Sequence, residues 1–411
     1  MSNRIIITKE TIQEKDFLVT ALFEENRLAE VSCDNLQNIS ILGNIYVGKI
    51  KQIVPKIGAA FIEITPGQMT YLPLNDVKEP HMVRQQRPGK LTENDEIVVQ
   101  IAKEAVKTKF PTVSTNLTFQ GNAIVLTTEN KKLGISKKLD KEKRKHYQKV
   151  FADKKDDRFG LIIRTIAGNY ADEEIFAEFE RIYAVYQKLE SQYMHRTCYS
   201  CLYHAPSPYI SAVKEKLSQQ IEKIVTDDRV IFNELTEEFI PEAKGSALTA
   251  SADYPLNKSI KTPPVSFYED SMLPLSALYG LKAKLQDALQ ERVWLKSGAY
   301  LVIQPTEALT VIDVNSGKCI KGNPNDFYLK INLEAAEEIA RQLRLRNISG
   351  ICVVDFINMD TKEAEIELVQ AIKKALAKDT VPAMFVDFTK LGLAEITRKK
   401  VKKPLWEQIE M

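Results

Sequence analysis

The sequence contains no long apolar run and few cysteines, and both shortages restrict the class of protein. No apolar stretch approaches the roughly 18 residues that a membrane-spanning helix needs, and the opening MSNRIIITKE is too short in apolar length for a secretory signal peptide. The five cysteines are an odd number in a chain of 411 residues. Because no secretory signal accompanies them, we interpret them as reduced thiols and expect a soluble cytoplasmic protein.

The sequence also has almost no net charge. Lysine and arginine total 57 against 55 for aspartate and glutamate, which gives +2. The composition as a whole therefore does not indicate a polyanionic partner, and only a local cluster of positive charge can do so. A hydrophobic fraction of 44% allows a buried core, and the length corresponds to roughly two to four domains.

Short strands predominate in the first part of the chain. Residues 1–35 hold short apolar runs, and EEN between two of them predicts a hairpin turn. From Gly43 onwards, short apolar stretches punctuated by glycine and proline predict a small β-barrel. A strand over residues 95–104 is expected to close it.

The middle of the chain predicts a mixture of strands and helices. Residues 116–170 continue as strands. They enclose a basic stretch, residues 137–155, whose interspersed acidic residues favour a solvated helix face over an RNA-binding patch. Downstream, the patterns predict helices over 171–192, 210–225 and 275–290 and a strand over 228–233.

Strands and helices alternate in the last third, which indicates an α/β layer structure. AYLVIQ, LTVIDVN, ICVVDF and AMFVDF predict strands, and NLEAAEEIARQLRLRN and TKEAEIELVQAIKKALAKD predict helices. For the first helix, Asn332 is the predicted N-cap and Gly350 the predicted stop. The charges that suit its dipole are Glu334, Glu337 and Glu338 near the start and Arg341, Arg344 and Arg346 near the end.

Two predicted strands carry an aspartate to their carboxyl ends, namely Asp313 and Asp355. Ligands of open α/β sheets bind at that edge. Adjacent carboxylates repel unless a cation lies between them, and Mg²⁺ accepts such ligands while keeping several waters. Asn315 follows on the same face of its strand. The alternative is ordinary turn chemistry, and Asp387 in MFVDF shows that placement at a strand end is not diagnostic.

Three segments resemble the catalytic region of the ribonuclease E / ribonuclease G family: ALTVIDVNSG, INLEAAEEIARQLRLRNISGICVVDFINM and KLGLAEITRKK. The resemblance extends from the N-terminus to about Gln408. It implies a Mg²⁺-dependent endoribonuclease that cuts single-stranded RNA in RNA processing and decay and leaves 5′-phosphate and 3′-hydroxyl ends. It also implies that Asp313 and Asp355 bind the metal and that Asn315 supports them. Lys390 lies where the family commonly has an arginine. The lysine ammonium would stabilise the scissile phosphate, with less bidentate geometry than an arginine gives.

The resemblance further implies a composite α/β fold of the α+β multidomain type. Its expected parts are an RNase H-like subdomain (1–37 and 209–288), an S1-type OB β-barrel (38–115), a 5′ sensor region (116–208) and a DNase I-like catalytic subdomain (289–411). Family members typically continue past the equivalent of PLWEQI into a zinc link and a small dimerisation domain, whereas this sequence ends at Met411. We therefore expect a monomer or weak dimer rather than the zinc-linked dimer.

The barrel sequence predicts an RNA-binding surface. Alternation in AAFIEI directs Phe61 away from the apolar face of its strand, and an outward aromatic on an OB barrel is a platform for unpaired bases. The family pattern has aromatics at the positions of Phe61 and Tyr71, and Lys109 is a candidate phosphate contact. Without the family, scattered surface aromatics and lysines explain these residues equally well.

GLIIRTIAG resembles the family's sensor for the 5′-monophosphate end of RNA. Arg164 can bind a phosphate through its guanidinium fork, and Thr165 can add a hydroxyl donor. FQGNAIVL resembles the loop that closes over that end, with Gly121 and Val125 as backbone or packing contacts. The alternative is an arginine–threonine pair at an ordinary strand end.

HRTCYSCLYH places His195, Cys198, Cys201 and His204 at intervals of three residues. Such a set can bind zinc, but a single helix would spread it along one side without closing a tetrahedron. Reduced thiols in an ordinary strand are the favoured interpretation.

Two other functions remain open from the sequence. One is a non-catalytic or weakly active RNA-binding protein of the same family. The other is an unrelated Mg²⁺ phosphoesterase with a small substrate, and the outward aromatics of the barrel argue against it.

Overall fold

The computed structural model describes residues 3–37, 40–105, 110–152, 154, 157–239, 263–317, 324–359 and 361–410. The chain divides into two compact units. Unit 1 comprises Met1–Ile39, Glu215–Pro255 and Thr262–Met411, and unit 2 comprises Ser40–Lys214 and Leu256–Lys261. The four domain ranges expected from the family stay predictions.

The described residues form strands in both units. In chain order they are β1 (Asn3–Ile12), β2 (Lys15–Glu24), β3 (Arg27–Asn35), β4 (Ile45–Val54), β5 (Ala59–Thr65), β6 (Gln68–Pro73), β7 (Met82–Arg84), β8 (Glu96–Lys103), β9 (Thr112–Ser114), β10 (Thr118–Gln120), β11 (Ile124–Thr127), β12 (Leu133–Ile135), β13 (Gly160–Ile163), β14 (Cys201–Tyr203), β15 (Ile221–Thr226), β16 (Val265–Phe267), β17 (Arg292–Trp294), β18 (Tyr300–Pro305), β19 (Leu309–Asn315), β20 (Gly350–Asp355), β21 (Ala383–Phe388) and β22 (Ala394–Arg398).

The α-helices of the described residues vary widely in length. They are α1 (Lys141–Val150), α2 (Asp172–Gln192), α3 (Pro208–Lys216), α4 (Arg229–Phe239), α5 (Leu275–Leu278), α6 (Leu281–Leu289), α7 (Pro324–Leu345), α8 (Lys362–Leu376) and α9 (Leu405–Ile409).

A five-stranded sheet of unit 1 has the order β16-β15-β1-β2-β3. The predicted hairpin between β2 and β3 is confirmed, since Glu25 and Asn26 both have positive φ angles of 48° and 68° at the turn. One face of this sheet buries apolar residues such as Phe17 and Val19 against Leu281 and Leu285 of α6.

A closed barrel lies in unit 2, as predicted. Neighbouring strands pair in the spatial order β4-β5-β6-β9-β8, and β4 also pairs with β8. The ring of five strands therefore closes, as in an OB-like fold. The predicted alternation in β5 is confirmed, because Ile62 and Ile64 are fully buried inside the barrel while Phe61 and Glu63 remain partly exposed.

Unit 2 also contains a four-stranded sheet with the order β10-β11-β13-β12. The predicted long helix is α2, whose buried residues recur every three or four positions (Ile175, Phe179, Ile182, Tyr186, Leu189). The basic stretch contains α1, and Tyr147 is the one buried residue within this helix, which confirms a largely solvated helix face.

The six-stranded sheet of the last third has the order β17-β18-β19-β20-β22-β21, and within it β19 and β20 run parallel. Helices α7 and α8 cover one face, where Ile339 and Ile372 pack against Ile312 and Val354. Within the described ranges, side chains of the opposite face are exposed to solvent, including the half-exposed Ile351, and we call this side the open face.

Three predicted elements are wrong. The helix expected over 275–290 is two helices, α5 and α6, because Gly280 between them has a φ of 58°. The helix expected over 210–225 ends early, because Gln220 adopts a left-handed conformation and β15 follows as a buried parallel partner of β1. The strand expected over 228–233 is the start of α4, since its short apolar run continues at helical spacing and Asp228 accepts from the amide of Val230 at 2.9 Å.

The predicted ends of α7 are also wrong. The helix begins at Pro324, so Asn332 is an internal, fully buried residue and not the N-cap. It ends at Leu345 because Asn347 has a φ of 49° and the amide of Ile348 donates to the carbonyl of Leu343 at 3.0 Å. Gly350, the predicted stop, instead opens β20.

Candidate active site and nucleic-acid interface

Asp313 and Asp355 are direct neighbours across the parallel pair β19–β20. Adjacent strands lie about 4.8 Å apart, so the two carboxylates emerge side by side. Both are exposed, while Ile312 and Val354 beside them in the chain are buried under the helices. Strand alternation therefore directs both aspartates to the open face, at the carboxyl end of the strands.

Asn315 lies beside this pair, as the sequence predicts. Its Nδ2 donates a hydrogen bond of 2.6 Å to Oδ2 of Asp313, which leaves the other carboxylate oxygen unengaged by the amide. Lys390 lies in the turn between β21 and β22, exposed at the same edge of the sheet as Asp355. Asp387 also ends its strand, but its Oδ1 accepts from the amide of Phe388 at 2.9 Å, which is ordinary turn chemistry.

The acidic pair fits a hard divalent cation better than a structural zinc. Among the residues that the structure describes, no group of three or more histidine, cysteine or acidic side chains converges on one point. A structural zinc needs four nitrogen or sulfur ligands. Mg²⁺ is commonly held by one or two carboxylates and keeps several waters, which matches Asp313 and Asp355 with Asn315 alongside.

Asn332 holds the chain just after Asp355. Its Nδ2 donates to the carbonyl of Ile357 at 2.7 Å, and its Oδ1 accepts from the amide of Ile357 at 3.1 Å. A buried side chain of α7 therefore fixes the segment that leaves β20. Sequence reasoning missed this role because the pairing joins residues 25 positions apart.

The outer face of the barrel presents an aromatic cluster. The ring centroids of Phe61 and Tyr71 lie 6.2 Å apart, and those of Phe61 and Phe110 lie 5.8 Å apart, both edge to face. Phe110, which sequence reasoning missed, is half exposed. The predicted phosphate contact Lys109 lies outside the described residues.

Beside this cluster, Glu63 accepts hydrogen bonds from the hydroxyl of Tyr199, the amide of Gly67 and the ammonium of Lys51. These donors lower the pKa of Glu63 to about 2, and the same carboxylate raises the pKa of Tyr199 to about 12. The positive charge of Lys51 is therefore largely offset by Glu63 at this part of the surface.

The structure brings Arg164 and Gly121 of the predicted sensor together. Nη1 of Arg164 donates to the carbonyl of Gly121 at 3.3 Å. Thr165 begins the next turn, and its hydroxyl lies 2.7 Å from that of Ser136. Val125 lies on β11, where it pairs with β13. The guanidinium is thus next to the loop expected to close over a 5′ end.

The backbone amides of that loop already donate hydrogen bonds to the carboxylate of Glu178. It accepts hydrogen bonds from the backbone N–H groups of Asn122, Ala123 (2.7 Å) and Ile124 (3.1 Å). A Cβ at Gly121 would lie 2.6 Å from Cδ of Glu178, so a larger residue there would require the Glu178 side chain to shift. Sequence reasoning missed Glu178, and these amides hold the loop to α2.

Comparison with known proteins identifies the family of this chain. The sequence model of the ribonuclease E/G family matches residues 118–401. Ribonuclease G of Haemophilus influenzae is 30% identical over 400 residues, which is 94% of this chain and 78% of the relative. The chain belongs to the ribonuclease E/G family.

Other relatives match over the same extent. Ribonuclease G of Escherichia coli K12 is 29% identical over 95% of this chain and 81% of the relative. Ribonuclease E of Synechocystis is 28% identical over 97% of this chain and 58% of the relative. Membership of the family identifies the chain as an endoribonuclease, and nucleases of this family are in general metal-dependent.

The predicted zinc candidates, which run from His195 to His204, lie in a turn and a short strand. Cys198 and Cys201 are free, half-buried thiols, and Sγ of Cys201 lies 3.7 Å from Nδ1 of His204. Burial raises the pKa of both thiols. Cys201 lies on β14, which confirms the predicted strand.

Proposed function

We propose that this member of the ribonuclease E/G family is a Mg²⁺-dependent endoribonuclease that cuts single-stranded RNA and prefers a 5′-monophosphate end. The observation that carries the proposal is the register of β19 and β20, which pairs Asp313 with Asp355 at one edge of the open face. Two adjacent carboxylates with a supporting amide are a suitable ligand set for Mg²⁺.

In this proposal Asp313 and Asp355 hold the ion. When bound, Mg²⁺ supplies a nucleophilic water and offsets negative charge on the phosphate. Asn315 orients the carboxylate of Asp313 through its hydrogen bond of 2.6 Å. Lys390 contributes a positive charge near the scissile phosphate. Water adds to phosphorus as the bond to the 3′ oxygen breaks, which gives 5′-phosphate and 3′-hydroxyl ends.

The barrel supplies the RNA-binding surface. Phe61 and Tyr71 offer ring faces on which unpaired bases stack without strong sequence preference. Lys109 contacts the RNA backbone. An edge-to-face aromatic pair on an OB-like barrel supports this role.

The sensor region recognises the 5′ end through Arg164 and Thr165, with Gly121 and Val125 shaping the loop beside them. The contact between Arg164 and Gly121 supports this assignment. We also propose that the five-stranded sheet of unit 1 belongs to an RNase H-like subdomain and that the six-stranded sheet belongs to a DNase I-like subdomain.

A cleavage assay on a 5′-monophosphorylated single-stranded RNA tests the proposal. Wild-type protein should cut with Mg²⁺ and stop in EDTA. Asp313→Asn and Asp355→Asn should each lower kcat/KM about 100-fold or more, because they remove several kcal/mol of metal-supplied stabilisation. RNA binding should persist in both variants.

Asp387→Asn is the matched control, since Asp387 ends a strand of the same sheet and should keep wild-type activity. A 5′-hydroxyl substrate tests the sensor, and wild type should cut it more slowly. Wild-type protein that binds RNA but never cuts would favour the weakly active RNA-binding alternative.

A further inference from the structure

The open face carries an aromatic and cationic cluster beside the acidic pair, formed by Arg292, Trp294 and Tyr300. Trp294 and Tyr300 pair across β17 and β18, with ring centroids 5.2 Å apart. The guanidinium carbon of Arg292 lies 4.6 Å from the centroid of Tyr300 and 5.8 Å from that of Trp294. This is a compact cation–π cluster.

Strand alternation directs the cluster to the open face. Val293 and Leu295 pack with the core under α7 and α8, so Trp294 between them points to the opposite side. Leu301 is likewise buried in that core, which leaves Tyr300 on the open face. Trp294 is 63% exposed although it is large and apolar.

The cluster is continuous with the acidic pair through the sheet register. Arg292 pairs with Val302, Val302 with Asp313, and Asp313 with Asp355, all in one row across four strands. In the next row, Trp294 pairs with Tyr300 and Tyr300 with Asn315. At about 4.8 Å per strand, Arg292 lies roughly 10 Å from Asp313 along the sheet.

We propose that this cluster is a binding site for a nucleotide next to the scissile phosphate, with its base stacked on Trp294 and its phosphate near Arg292. The inference rests on the proposed function. An RNA strand that follows this row away from the acidic pair would pass over β18 and β17 on the same face. An exposed indole and a guanidinium are the groups that bind an unpaired base and its phosphate.

A nucleic acid fits this cluster better than a purely aliphatic partner. In the part of the chain that the structure describes, Arg292 forms no ion pair with a carboxylate, so its charge is available to a phosphate. An aliphatic partner would instead pack on the exposed Val311 and Ile351 of the same face, where the guanidinium of Arg292 would contribute nothing.

The test uses Mg²⁺-dependent cleavage of a single-stranded RNA and a set of copies with one abasic nucleotide at each position around the cut. Trp294→Ala should raise KM about tenfold with little change in kcat, within the range expected for loss of one stacked base. Trp294→Phe should restore KM to within about threefold, since a ring remains. Arg292→Gln should raise KM and reduce its dependence on salt.

The abasic substrates locate the contact. At one position next to the cut, removing the base should raise KM of the wild type about tenfold and leave the KM of Trp294→Ala unchanged. Ile366→Ala is the matched control, because Ile366 is 58% exposed on α8, on the covered side of the sheet.

The outcomes separate the two proposals. If wild-type protein never cuts, the proposed function fails. If it cuts normally and Trp294→Ala keeps the wild-type KM on every substrate, the nucleotide site is wrong, and the cluster then serves a different partner.

Discussion

The acidic pair shows how single residues acquire a function from their neighbours. Asp313 and Asp355 are each exposed at the end of an apolar strand, a position shared by many turn-forming residues. They become a candidate metal site because β19 and β20 run parallel and in register. Asn315 then adds a hydrogen bond that orients one of the two carboxylates.

Sequence patterns predicted this pair and its supporting Asn315, but not residues whose roles depend on contacts between distant parts of the chain. Alternation and strand ends are local features, so Asp313, Asp355 and Phe61 could be selected from the sequence. Trp294 gains its proposed role from cross-strand pairing, and Glu178 from a contact with amides 54 to 56 positions away. Neither contact has a local signal.

Asn332 provides a test at the scale of a residue. Asn332→Ala should lower the free energy of unfolding by about 2 kcal/mol, because both backbone groups of Ile357 lose their partner. Urea unfolding measures this change. Cleavage should also slow, since the segment after Asp355 is no longer fixed.

Asn358→Ala is the control, as Asn358 is exposed one residue beyond Ile357 and should change stability by no more than about 0.5 kcal/mol. Equal stability of the two variants would contradict the role of Asn332.

At the scale of elements, the long helical stripe of α2 was predicted well and the short apolar run that begins α4 was not. The 21 residues of α2 present a clear helical stripe, whereas VIF at the start of α4 fits a strand and a helix equally. The predicted ends of α7 were wrong because Asn332 and Gly350 are both good capping residues by type. In the structure Asn332 lies inside the helix, bonded to Ile357, and Gly350, with a positive φ, begins β20.

A buried ion network joins α7 to the first sheet of unit 1. Arg344 donates to Glu24 at 2.6 Å and to Glu30 at 3.3 Å, and Lys216 also pairs with Glu30. Burial alone would raise the pKa of Glu30, but Lys216 and Arg344 outweigh it and lower the pKa to about 2. The network therefore stabilises the fold while Glu30 is ionised.

Glu30→Gln provides a test at this scale. Breaking a buried pair from one side should lower the free energy of unfolding by about 3 kcal/mol at pH 7. Because the folded pKa lies below the ordinary value of 4.5, the contribution of Glu30 is complete above that value and is lost as pH falls towards 2. The difference between variant and wild type should therefore shrink between pH 4.5 and 2.

Urea unfolding at a series of pH values measures this difference. Glu25→Gln, in the exposed turn between β2 and β3, should match wild type at every pH. A difference for Glu30→Gln that is independent of pH would contradict the account.

At the scale of the whole molecule, RNA recognition has to come from local surfaces. The net charge is only +2 over 411 residues, so the proposal relies on separate aromatic and cationic clusters in each unit. None of the helices within the described ranges is long and apolar enough to cross a membrane.

The central claim is that Asp313 and Asp355 together hold one divalent cation. Mn²⁺ prefers the same oxygen ligands as Mg²⁺ and can be followed by electron paramagnetic resonance. Titration of wild-type protein should show one bound Mn²⁺ that excess Mg²⁺ displaces. The double variant Asp313→Asn/Asp355→Asn should lose that ion while staying folded; if it binds Mn²⁺ as tightly as wild type, the claim is wrong.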